Sequence, residues 1–184
     1  MSQLQELLIE EMQDLLHAEN QLVAALPKMA SAAKAPKLRE AFEKHLLQTQ
    51  MQVERLNQAF ELLGSEPEAK PCRAMMGLIE EGQEKIDEGG SKEDLAADLS
   101  LIAAAQKVEH YEIAGYGNAR SLAMQIDERE VARLLGQTLG EEESTDFLLT
   151  EITKPIIQQA RMDELNTTRG TRKTATSGSA RHAR

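Results

Sequence analysis

Three glutamates, Glu19, Glu109 and Glu142, each interrupt an otherwise apolar row of residues at helical spacing, and Glu112 lies one turn along from Glu109 on the same face. A helix that buries its apolar face would bury these carboxylates with it. Burying them unpaired costs several kcal/mol each or forces them to hold protons. Bound cations resolve that conflict most economically. Oxygen-rich ligand sets with an occasional imidazole suit iron, with manganese or zinc as alternatives, and two divalent ions would balance four carboxylates. The expected cofactor is therefore a pair of divalent metal ions, in a site that can be full, partly occupied or empty. The bland alternative for Glu109 and Glu142 is a buried polar network satisfied by Gln106, Tyr116 and protonation. No nucleophilic triad, glycine-rich phosphate loop or thiolate cluster competes with a metal site.

The elements that must position these residues are read from the same rows. Ser2 with Gln5 opens a first helix whose row is Leu4, Leu8, Met12, Leu15, Glu19, Leu22, Leu26 and Met29. "KAPK" interrupts near residue 35, and Pro36 suits the first position of a second helix with the row Leu38, Phe42, Leu46, Thr49, Val53, Leu56, Phe60 and Leu63, stopped by Gly64. A connection over 65–91 holds one short helix from about Cys72 to Glu88. The third long helix carries Leu95, Leu99, Ile102, Gln106, Glu109, Ile113 and Tyr116. After a turn near 126, with Asp127 and Glu130 as a capping box, the fourth carries Val131, Leu135, Thr138, Glu142, Thr145, Leu149 and Ile152; Pro155 is expected to end or kink it. Helices of roughly 27 to 33 residues, about 40–50 Å long, pair naturally as antiparallel hairpins. The fold class is all-α: a four-helix bundle of two hairpins joined by a crossover.

In an antiparallel hairpin, residues equally far from the turn share a height. Counting from a turn at 125–126 sets Glu109 opposite Glu142. Counting from 35 brings Glu19 level with about residue 50, where Gln48, Thr49 and Gln52 stand, with His45 about one turn nearer the loop. Weaker candidate ligands are thus His45, Gln48 and Gln52, with Glu143 if the helix phase is off by one. His110, Tyr116 and Gln106 are expected behind the ligands as orienting groups.

The chain of 184 residues carries a formal charge of −10, with 3% aromatic residues and no Trp. Its Ala, Leu, Glu, Gln and Met content favours helix, and its length suits one domain, assigned to residues 1–168. Residues 169–184 hold five of the 21 basic residues and no acid, leaving 16 bases against 31 acids in the body. Such a body repels nucleic acid and anionic membrane and attracts cations. The basic tail is expected to be disordered, with DNA contact as its minority role. No apolar run is long enough to span a membrane, and a lone Cys72 fits a reducing compartment, so the cytoplasm is the expected location.

At "DLLHAENQL", "HLLQTQMQVERL", "AAAQKVEHYEIAGYG" and "LLGQTLGEEESTDFLLTEI" the sequence resembles the YciE/YciF-type ferritin-like stress proteins, over roughly residues 4–165. The resemblance implies a rubrerythrin-like bundle, a homodimer and a di-metal centre. On that pattern Glu19 matches the first helix, Glu109 and Glu112 the third, and Glu142 the fourth. It implies a carboxylate on the second helix where this chain has Gln48, and a histidine on the fourth for which Asp146 could substitute. Two functions follow as expectations. The first is a di-iron carboxylate protein that binds and oxidises Fe(II) with oxygen or peroxide as acceptor; the second is a dimeric stress or interaction protein whose polar layer fixes helix register.

Overall fold

The computed structural model describes the backbone of residues 2–178 and the side chains of residues 2–166. Helix α1 spans Gln3–Ala32, and the Ser2 hydroxyl accepts a hydrogen bond from the Gln5 amide at 3.2 Å. Its buried stripe is Leu8, Met12, Leu15, Glu19, Leu22, Leu26 and Met29, whereas Leu4 is exposed. Helix α2, Pro36–Leu62, begins on the proline. It ends at Gly64, whose φ of +65° lets the Gly64 and Ser65 amides bond back to the carbonyls of Glu61 and Phe60, a helix stop that a side chain would strain.

The connection after α2 is tied along α1. The Lys70 amide reaches the Gln13 carbonyl at 3.1 Å and the Cys72 amide reaches His17 Nδ1 at 3.0 Å. Cys72 then caps α3, Arg73–Gly89, accepting from the Met75 amide at 3.3 Å. Helix α4 is Asp94–Gln125 and α5 is Arg129–Gly178. The first hairpin is fastened to the second by buried Asp98, whose two oxygens accept from the amides of Lys34 and Ala35, both at 2.7 Å.

Helices α1 and α2 pair, α4 and α5 pair, and the hairpins meet through α1 on α4 and α2 on α5. Helix α3 lies outside this square against α1 and α4. No strand occurs among the described residues, and no described helix is long and apolar enough to cross a membrane. The all-α bundle of two hairpins with a short crossover helix is the expected architecture.

Three local expectations are corrected. Asp127 and Glu130 form no capping box: Asp127 takes φ 66° at the turn, a conformation Asp tolerates, and Glu130 instead pairs with Arg133 at 2.6 Å. Pro155 does not end α5. It is exposed, so the Glu151 carbonyl that it leaves without an amide donor faces water. The same helix continues through 169–178, the first part of the stretch expected to be disordered; residues 179–184 of that stretch lie outside the described residues.

The core is split in two. One cluster gathers Leu22, Leu26, Met29, Leu38, Phe42, Ile102, Val108, Leu149 and Ile152; the other gathers Leu8, Met12, Leu15, Leu56, Phe60, Tyr116, Val131 and Leu135. The polar layer lies between them.

Candidate metal centre

His45 comes from α2, Glu109 and Glu112 from one face of α4, and Glu142 from α5. One ligand atom of each lies within 4.8 Å of the others. Nε2 of His45 is 3.4 Å from Oε1 of Glu109 and 3.7 Å from Oε2 of Glu142. None of the four is more than 2% exposed. Glu19, fully buried on α1, stands beside them and accepts a hydrogen bond from the Tyr116 hydroxyl.

The electrostatics of this layer are unfavourable as it stands. Burial holds the carboxyls of Glu19, Glu109 and Glu112 well above their ordinary value of 4.5. Neighbouring carboxylates push the same way, Glu142 acting on Glu19 and Glu109, and Glu19 on Glu112. The Tyr116 hydroxyl only partly offsets this at Glu19. Burial also lowers His45 from 6.5 against the pull of Glu142, which keeps the imidazole in the neutral form that binds metals.

Five atoms of the layer's carboxylates and imidazole have no hydrogen-bond partner, namely Oε2 of Glu19, Oε2 of Glu109, Oε1 of Glu112, Oε2 of Glu142 and Nε2 of His45, and neither has Oε1 of neighbouring Gln52. Buried polar atoms are nearly always satisfied, so five orphans converging on one place need a common partner. A divalent cation answers both defects, supplying positive charge and accepting their lone pairs. The donor set, four carboxylates and one imidazole, is that of a hard or borderline ion such as iron or manganese rather than a thiolate-seeking one.

The side of the layer toward α2 and α5 is closed by hydrogen bonds. Gln52 donates to Glu142 Oε1 and, at 3.0 Å, to Glu141 Oε2. Arg55 grips both oxygens of Glu141 at 2.9 and 3.0 Å and donates to Thr138 at 2.6 Å. Thr49, fully buried, gives its hydroxyl to its own helix at the His45 carbonyl, 3.0 Å away. Thr145 stands 3.4 Å from His45 Nδ1, leaving Nε2 for the carboxylates.

The structure therefore brings together Glu109, Glu112, Glu142 and His45, with Glu19 adjacent. Of the other candidates, Gln52 faces the layer as a donor to Glu142, and the rest lie elsewhere. Glu143 is exposed, because α5 keeps the phase that buries Glu142. Gln48 is half-buried beside His45; besides His45, the α2 positions that face the layer are Thr49 and Gln52. Asp146 is half-buried away from the cluster, taking a hydrogen bond from Gln106 at 3.0 Å and lying 3.5 Å from the exposed His110. Of the three expected orienting residues, Tyr116 touches a cluster carboxylate, whereas Gln106 and His110 meet Asp146. Two residues escaped sequence reasoning: Arg55 and its partner Glu141. The spacing of Gln52 and Arg55 opposite adjacent Glu141 and Glu142 is the signal that could have found them.

Comparison with known proteins gives the family and the fold. The family model described as "Domain of unknown function (DUF892)" matches residues 3–162. Protein YciF of Escherichia coli strain K12 is 45% identical over 156 residues, covering 83% of this chain and 91% of that protein. The crystal structure of that stress protein superposes with a TM-score of 0.82 at 42% identity, covering 86% of this chain and 99% of the other. YcfI of Rhodopseudomonas palustris, described as a putative structural protein, follows with a TM-score of 0.77 and 36% identity over 82% of this chain and 94% of its own. A structure of ferritin-like, diiron-carboxylate proteins from Bacillus anthracis has a TM-score of 0.64 at 18% identity, covering 83% and 99%; it speaks for the fold alone.

Proposed function

This chain belongs to the DUF892 family, and on that premise we propose that it is a ferritin-like protein that binds divalent metal, iron first, between His45, Glu109, Glu112, Glu142 and Glu19. The observation that carries this reading is the close approach of buried His45, Glu109, Glu112 and Glu142, each with a partnerless ligand atom, beside Glu19, which has one as well. Four carboxylates and a neutral imidazole are balanced by two divalent ions, so we assign two adjacent positions. One lies among His45, Glu109, Glu112 and Glu142; the other is toward Glu19. Iron bound there would supply Fe(II)/Fe(III) redox chemistry toward oxygen or peroxide. The chain's own contribution is to hold neutral His45 with Nε2 inward, to fix Glu142 through Gln52, to orient Glu19 through Tyr116, and to exclude water with an apolar cluster on either side. By analogy with the stress protein YciF, we place this activity in a stress response. We also read the protein as a cytoplasmic homodimer, with exposed Leu47, Met51 and Phe147 offering apolar surface to a second copy.

A second reading has support of its own. Besides His45, the α2 positions facing the layer are Thr49 and Gln52, so that helix brings no carboxylate, and the relative YcfI is described as a putative structural protein. On this reading the layer fixes helix register and holds a structural ion or none. Metal analysis of protein purified without chelators, beside Glu109→Ala and Glu142→Ala, tests the first reading. It expects wild type to carry iron, manganese or zinc and the variants to lose it; equally little metal in all three rejects it. Absorbance-monitored Fe(II) oxidation then separates an oxidase from a passive binder.

A further inference from the structure

We infer that the space beneath α3 is an entry for dioxygen that ends on the metal layer. A recess of about 50 Å³ lies where α3 covers the groove between α1 and α4. Its mouth is marked by exposed Lys28 and half-buried Gln83, and its floor is formed by His45 and Glu109, two members of the cluster. Between mouth and floor the walls are apolar, with Leu22 and Met29 from α1, Phe42 from α2, Ile79 from α3, and Ala105 and Val108 from α4.

Size and chemistry select the occupant. Cavities walled by hydrocarbon stay dry and take small apolar guests, and this one has room for a molecule of a few heavy atoms. A hydrated ion would have to leave its water behind against walls that offer no oxygen ligand. Hydrogen peroxide would lose its hydrogen bonds along the same stretch, at a cost of about 1–3 kcal/mol per unmet group. Dioxygen, neutral and apolar, has nothing to lose there. The inference rests on the metal-binding reading for its purpose, but the presence of the guest is a property of the recess itself.

Gly82 gives the handle. A Cβ there would sit 4.0 Å from Met29 Sδ, so alanine fits without contact strain, whereas leucine extends into the recess. Both replacements raise helix propensity in α3, which favours folding. In metal-free protein under dissolved oxygen, the paramagnetic relaxation of the methyl groups of Leu22 and Leu26, which line the recess, should be several-fold larger than that of Leu8 and Leu56, which are buried in the other cluster. Gly82→Leu should remove the difference and Gly82→Ala should keep it. Uniform relaxation in the wild type, or an unchanged pattern in folded Gly82→Leu, overturns the inference. In iron-loaded protein, Gly82→Leu should slow oxidation by dioxygen several-fold and leave oxidation by peroxide unchanged; equal slowing of both also overturns it. Should the wild type take up no iron, the metal reading fails by itself, and the methyl relaxation still decides the recess.

Discussion

Glu109→Gln should make the metal-free protein more stable and the metal-treated protein less stable, so that the two melting curves exchange order. The carboxyl is 2% exposed, its Oε2 has no partner, and Glu142 faces it. An amide of the same shape is neutral without taking up a proton and can donate to Glu142. Relieving one unmet buried acceptor is worth about 1 kcal/mol or more. For a chain of this length that raises the melting temperature by about 2–4 °C. Ion binding acts in the opposite sense. At about a hundred times Kd, a ligand that binds only the folded state stabilises it by about 2.7 kcal/mol, which is about 5–11 °C here. If loss of the carboxylate weakens binding about a hundredfold, the same ion concentration stabilises the variant by only about 0.4 kcal/mol, or about 1–2 °C. Differential scanning fluorimetry with chelator, and then with Fe(II) under anaerobic conditions, Mn(II) or Zn(II), reads both effects. A wild type that no ion stabilises, or a variant stabilised as much as the wild type, refutes the ligand assignment. A metal-free variant that melts below the wild type refutes the claim that this layer is under electrostatic strain.

The pH dependence of the metal-free protein has a definite sign. Glu19, Glu109 and Glu112 hold protons in the folded state above the value of 4.5 at which the unfolded chain releases them, so stability should fall as pH rises from about 5 toward 8, and saturating metal should flatten the slope; a melting temperature that climbs over that range in chelator contradicts the assignment. Gln52→Glu supplies the carboxylate that α2 lacks, replacing a donor to Glu142 with another acceptor, and should destabilise the metal-free protein by about 1–3 kcal/mol while raising metal bound per chain; denaturant titration and metal analysis together check it. Arg55→Met should cost about 3 kcal/mol by leaving half-buried Glu141 without its guanidinium and Thr138 without its donor, a loss that urea unfolding would reveal as a lower midpoint at unchanged slope.

Helices α1 and α5 were legible because each buries a single stripe against its neighbours. Apart from Leu4, every member of their two named rows is buried, Glu19 and Glu142 included. Helix α4 was less legible. It meets α1, α3 and α5 at once, so its buried surface is too wide for one row: Leu101, Ala105 and Val108 are buried, while Leu95, Leu99, Gln106 and Ile113 are only half-buried. The height count held for the second hairpin, where Glu109 and Glu142 meet, and missed for His45, which joins them although the count set it about one turn nearer the loop. Turn geometry depends on which residue adopts positive φ, and nothing in the local spacing singled out Asp127.

The division of the core explains how the chain tolerates such a layer. Four carboxylates and a histidine in one continuous core would disrupt packing on every side. Here they form a single stratum, with an apolar cluster near the α1–α2 turn and another near the α4–α5 turn, each drawing residues from all four long helices. Each cluster can hold the helices in register without help from the layer. The layer is then free to be unfavourable by itself, which is the condition under which an ion gains most by binding. The contrast with Asp98 supports this. It is as deeply buried as the ligands at 1% exposure, yet both of its oxygens are satisfied by backbone amides. Folding has met the needs of the carboxylate that ties the hairpins together and left unmet those of the carboxylates that face one another.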